Sequence, residues 1–146
     1  MVPPGSVDGN GFLTQGFMRV EAEQMLAELV GALTPANKAK VQGIPFAFDA
    51  QTSEFNAYAG CENGVPYMAM TLPLLRAVGH IAEARASDEV FGSRRTDVYT
   101  RQAAEAMNAS APVPDPAPGF YSPQEANDPR KLGRQRIIFD EMVGFV

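Results

Sequence analysis

Apolar residues at Met18, Ala22, Met25, Leu26, Leu29, Val30 and Leu33 recur every three or four positions, which predicts one buried face of a helix from about Phe17. Thr34-Pro35 ends it, because the residue before a proline is pushed out of the helical region. The methionines on this face read as core filler. The period then changes: Ile44, Phe46 and Phe48 alternate with smaller residues, and Phe55 to Ala59 and Val65 to Thr71 are two further short extended runs. Asn63-Gly64 tolerates the positive φ of a tight turn, so the last two runs predict a hairpin.

Thr71 and Pro73 open the next helix, a capping hydroxyl followed by a proline in the first turn, where its missing N–H does no harm. Leu74, Leu75, Val78, Ile81 and Ala82 form its expected inward face, up to about Val90. His80 falls with Arg76, Glu83, Ala84 and Ser87 on the other side and is expected to face solvent. A further helix from Arg94 to about Met107 should bury Val98, Tyr99 and Ala103.

Between Ala111 and Gly119 every second residue is proline, which no helix or central strand accommodates; the segment is expected to be extended, solvated and polyproline-like. It suits a stiff connector, or a docking segment for a proline-reading domain. The last helix begins near Pro129 and carries Leu132, Ile137, Ile138, Phe139, Met142, Val143, Phe145 and Val146, apolar on more than one face. Arg130, Lys131, Arg134 and Arg136 near its start read as a solvated basic face. The expected architecture is α+β, amphipathic helices packed on a small antiparallel sheet. Residues 1–16, rich in Gly and Pro, are expected to be disordered, with 17–146 forming the domain and 108–129 a Pro-rich connector.

With 146 residues, 45% of them hydrophobic and 20% charged, the chain has ordinary globular composition and fits one domain. Its net charge of −5 argues against a nucleic-acid partner. No run approaches the ~20 apolar residues of a membrane-spanning helix. Cys61, the single cysteine, reads as a small buried or half-buried hydrophobe.

One His and one Cys leave no set of ligands for a three-residue zinc site, so no catalytic and no metal-binding residues are assigned and no cofactor is expected in these residues. Asp88-Glu89 and Asp140-Glu141 are neighbours on helices and diverge by about a hundred degrees, too far to act as a general acid/base pair.

Phe55-Asn56-Ala57-Tyr58-Ala59, a Gly-marked turn, an apolar strand, Thr71-Leu72-Pro73-Leu74-Leu75 and finally Asp140-Glu141-Met142 follow one another in an order with a precedent. Over about half the chain this order resembles the HtpX and CaaX-prenyl-endopeptidase-like family of zinc metallopeptidases, in which an N-A-F-A strand, a turn, an apolar strand and a helix precede D-E-L and the H-E-x-x-H motif. Pro73 stands where that family usually has glycine, and the stretch from Glu83 to Gly133 is longer than the family's. The resemblance implies a partial zincin-like domain whose text stops about one residue before the first metal-binding His. It implies that Asn56, Ala57, Tyr58 and Ala59 form the substrate-side strand for a peptide or protein substrate, with zinc expected only in a longer parent protein. The chain alone is then inactive, and the bare apolar end of its last helix favours self-association. The alternative is a complete, non-catalytic protein-binding or assembly module.

Overall fold

The computed structural model describes residues 3–146 and is α+β, six helices on a three-stranded sheet. The helices are α1 (Gln15–Ala32), α2 (Pro35–Val41), α3 (Leu72–Phe91), α4 (Arg95–Asn108), α5 (Pro123–Asn127) and α6 (Pro129–Phe145); the strands are β1 (Phe46–Asp49), β2 (Ala57–Glu62) and β3 (Val65–Thr71). Local chemistry sets most boundaries. Thr14, Thr34, Thr71, Ser122 and Asp128 each accept a backbone N–H at a helix start. Thr34-Pro35 both ends α1 and starts α2, a short helix the hydrophobic periodicity does not announce.

The sheet order is β1-β3-β2. β2 and β3 form the expected hairpin, turning at Asn63 and Gly64 with φ of 52° and 80°. β1 runs parallel to β3, so the sheet is mixed rather than antiparallel. The chain leaves β1 at Asp49 and returns to open β2 on the far side of β3, which forces β1 and β3 to share a direction. At Gly60 a Cβ would lie 2.7 Å from the Tyr67 ring that crosses it, so a larger residue there would push that ring aside.

α3 is the centre of the helical layer, packed by α6 along one side, by α4 along another and by α1 near its start. The apolar core joins Met18 and Ala22 of α1, Met70 of β3, Leu75, Val78, Ala82 and Ala86 of α3, and Ile138, Phe139 and Val143 of α6. Gly79 lets Met18 and Phe12 approach α3, since a Cβ there would sit 2.5 Å from the Met18 sulfur. Parts of three predicted faces are bare: Leu29 of α1 and Leu33 just after it are exposed, as are Val98 of α4 and Ile137 of α6. Phe145 is 94% exposed and Val146 59% exposed, and Cys61 lies on the surface rather than half-buried.

The N-terminal segment, expected to be disordered, packs against the domain from Ser6 onward. Val7 and Leu13 pair as an isolated bridge around a turn in which the Asp8 carboxylate accepts from the N–H groups of Asn10 and Phe12 at 2.8 and 3.0 Å. Leu13 is wholly buried in the core. Gly11, at φ +78°, presses against α5, and its carbonyl accepts from Gln135 of α6 at 3.1 Å. Composition alone suggested disorder; one buried leucine and a glycine turn outweigh it.

Gly11→Ala combines a left-handed backbone with a Cβ 1.8 Å from the Ala126 carbonyl oxygen and should cost about 3 kcal/mol in urea unfolding. Gly5→Ala, also at positive φ but in open space, should cost about 1 kcal/mol, so equal losses would refute the close-packing account.

Candidate functional site

The polar face of α3, expected in solvent, is covered over most of its length. Arg76, His80, Glu83 and Ser87 follow at spacings of four, three and four and so share one side of the helix. His80, Glu83 and Ser87 are all buried. Each finds its partner on an element from the second half of the chain. Asp115, in the proline segment, accepts from Arg76 Nε at 2.6 Å and Nη2 at 2.5 Å, and from His80 Nε2 at 3.0 Å. Lys131 of α6 donates to Glu83 at 2.6 Å, with 0% of its side chain exposed. Glu125 of α5 accepts from Ser87 at 2.9 Å and from both Arg95 nitrogens at 3.2 and 3.0 Å while also completing a capping box with Ser122.

A carboxylate only accepts, so His80 donates from Nε2 and carries its proton there. Its Nδ1 is buried without a hydrogen-bond partner and points at Glu83, 3.9 Å away. The ring stacks on Phe12 at 4.1 Å and lies 5.5 Å from Tyr99. Burial pushes the Tyr99 hydroxyl up to about 12, helped by the Asp115 charge. The Arg76 guanidinium holds Asp115 below the usual carboxylate range, against the upward push of burial. For Glu125 burial pulls upward, but Arg95, the Ser122 N–H and the Ser87 hydroxyl together bring it down to about 2. Burial lowers Lys131, with Glu83 opposing. The basic patch at the start of α6 is therefore only partly a solvated face: Lys131 is interior, and Arg136 forks onto Glu21 of α1 at 3.1 Å through both nitrogens.

The proline segment runs over this stripe without joining the sheet. Ala111, Pro112, Pro114, Pro118 and Gly119 are exposed, and the expected connector of residues 108–129 also holds the short helix α5. Alternate prolines leave no proline three residues from another, so the two-ridge surface read by proline-binding grooves is absent from this run. Two clefts flank the segment where Asp115 meets α3, one of about 300 Å³ and one of about 660 Å³; Arg76, His80 and Asp115 line both.

Asn56, Ala57, Tyr58 and Ala59 lie elsewhere, at the free edge of the sheet. Asn56 precedes β2; its N–H donates to the Thr71 hydroxyl at 3.1 Å and its carbonyl accepts from the Thr71 N–H at 2.9 Å, so it fixes the start of the strand through its backbone. Tyr58 donates to Asp49 at 3.0 Å, and that bond raises the Tyr58 hydroxyl above its ordinary range. Beside Ala57 to Ala59 an apolar groove of about 240 Å³ runs between the sheet, Met25 and Leu29 of α1 and the end of α6. Among the described residues no three of His, Cys, Asp and Glu converge as a metal site, and no helix is long and apolar enough to cross a membrane. No protein-family model, curated protein or solved structure matches the chain.

Removing one member of the buried Lys131–Glu83 pair should cost far more than removing both. Lys131→Met should lose about 3–5 kcal/mol in denaturant unfolding, and Lys131→Met with Glu83→Leu should recover most of it. Additive losses would refute the pairing.

A second prediction concerns Asp140, on the α1 side of α6. Burial, together with the nearby Glu21 carboxylate, raises it to about 6. The folded state therefore keeps this proton after the unfolded chain has released it, and stability should fall as pH rises from about 4 to about 6. Asp140→Asn should flatten that slope and stabilise the protein by about 1–2 kcal/mol at pH 7, measured by thermal or urea unfolding.

Proposed function

We propose that the chain supplies the substrate-side sheet and the beginning of the metal helix of a zinc metalloendopeptidase-like domain, without itself carrying the zinc ligands. The observation that carries this reading is the position of β2. It is an edge strand, paired only with β3, so every second residue directs its N–H and C=O away from the sheet. An extended peptide adds to such an edge through main-chain hydrogen bonds, which gives affinity with little sequence choice. The groove beside Ala57 to Ala59 offers room for the apolar side chains of that peptide.

The order of elements supports the same reading. A strand entering at Asn56, a turn, β3 and a helix capped by Thr71 are followed by α6, which packs on α3 and carries Asp140-Glu141-Met142. In the resembling family the H-E-x-x-H motif follows this triplet. Glu141 is exposed and precedes the position of the catalytic glutamate in that motif, so it takes no part in water activation.

The alternative is a complete non-catalytic binding module that takes a partner into the same apolar groove. Two measurements separate the readings. The coding sequence after the Val146 codon should continue into H-E-x-x-H; a stop codon there favours the binding module. The 146-residue chain should take up no stoichiometric zinc and cleave no casein, whereas a chain extended through that motif should bind one zinc and show chelator-sensitive cleavage. One-to-one zinc with cleavage by the short chain would overturn the proposal.

A further inference from the structure

Asp115 is bound in the manner of a ligand. Its carboxylate receives the parallel fork of Arg76 and a third bond from His80, the donor set by which proteins recognise a free carboxylate. Yet it is presented by a segment with few other ties. Between Ala111 and Gly119 the remaining hydrogen bonds are the Tyr99 hydroxyl on the Pro114 carbonyl at 3.3 Å and a turn bond at each end, Ala111 to Ala106 and Phe120 to Ala117, with Val113 and Pro116 half-buried. Arg76 and Asp115 are each about half exposed, so their ion pair holds the segment weakly. The receptor side, in contrast, is built. His80 is fixed by Phe12 and Tyr99 and nine-tenths buried, and its second nitrogen lacks a partner.

The segment also divides space. The two clefts have Arg76, His80 and Asp115 in common, so lifting Asp115 off α3 would join them into one trough over the polar stripe. The smaller cleft carries Phe55, Leu72 and Val113 as well as the charged pair, which suits a carboxylate attached to an apolar group.

We propose that Arg76 and His80 form a binding site for a peptide-borne carboxylate, that Asp115 occupies this site from within the chain, and that the proline segment is a lid which an incoming carboxylate displaces. The stiffness of alternate prolines suits that role, because the lid moves as a rod and returns its carboxylate to the same place. An intramolecular competitor acts at an effective concentration in the millimolar range, so the site should look weak until Asp115 is removed. The proposal does not depend on the peptidase reading, since it concerns α3 and the lid rather than β2.

The test uses the whole chain as wild type, Asp115→Ala and Asp115→Asn, with amide NMR dispersion showing that each remains folded. The probes are N-acetyl-leucine, which presents a C-terminal carboxylate, N-acetyl-glutamic acid α-amide, which presents a side-chain carboxylate, and N-acetyl-leucinamide, which presents none. Both variants should bind at least one of the two acids about fivefold tighter than wild type, with shifts of the His80 ring resonances, and the amide probe should not bind. Whichever acid binds tighter identifies the source of the carboxylate. Adding Arg76→Met should abolish binding, and saturating wild type should shift the backbone amides at positions 113, 115 and 117 as the lid lifts. Equal binding of acid and amide probes, no gain on removing Asp115, or acid binding that leaves the lid amides of wild type unmoved would overturn the proposal.

Discussion

Burial of one polar stripe on α3 organises the helical layer. A helix in the middle of a small domain is covered along several sides, so polar residues on its covered faces must be paired within the protein. Here Arg76 and His80 are paired from the proline segment, Glu83 from α6 and Ser87 from α5. These contacts fix where each later element lies along α3. The apolar contacts of Leu75, Val78, Ala82 and Ala86 supply the driving force for packing but little of that positional selection, since hydrophobic burial is non-directional.

The two candidate sites differ in kind. The edge of β2 is generic: an unpaired strand beside an apolar groove accepts many extended chains. The Arg76–His80 pair is specific, with a planar fork and an oriented imidazole aimed at one carboxylate. Asn56 and Thr71 connect the sheet to the helix that carries this pair, because Thr71 caps α3 while also bonding the residue that opens β2. A disturbance at the strand edge therefore has a short route to the start of α3.

The positions of the main helices and strands were legible from hydrophobic period and capping chemistry. Thr71 with Pro73, Asn63-Gly64 and the proline run did what their local physics requires. The failures share one cause. His80, Glu83, Ser87 and Lys131 on helical faces have the same spacing whether the face is solvated or covered, and the difference lies in partners 35 to 48 residues away. Likewise a Gly-rich opening looks disordered until Gly11 is seen to meet Ala126 and Gln135. The parallel pairing of β1 was similarly invisible, since alternation within a strand carries no record of its neighbour's direction. The subtler clue to a buried polar face was the density of Ala and Ser around His80, with Ala77, Ala82, Ala84, Ala86 and Ser87 leaving little side-chain bulk to hold neighbours away.

The bond from Gln135 to the Gly11 carbonyl spans 124 residues and has a consequence for synthesis. On the ribosome α3 emerges well before Asp115, Glu125 and Lys131, so its polar stripe is at first solvated and harmless while its apolar side is uncovered. The opening segment waits longer still, because its docking surface is made by α5 and α6, which are translated after α3. This loop, made before all six helices, is thus among the last of these pieces to settle. A nascent chain halted before position 128 would carry Glu83 without its lysine and Leu13 without its full enclosure, a form that chaperones and proteases would distinguish from the finished protein.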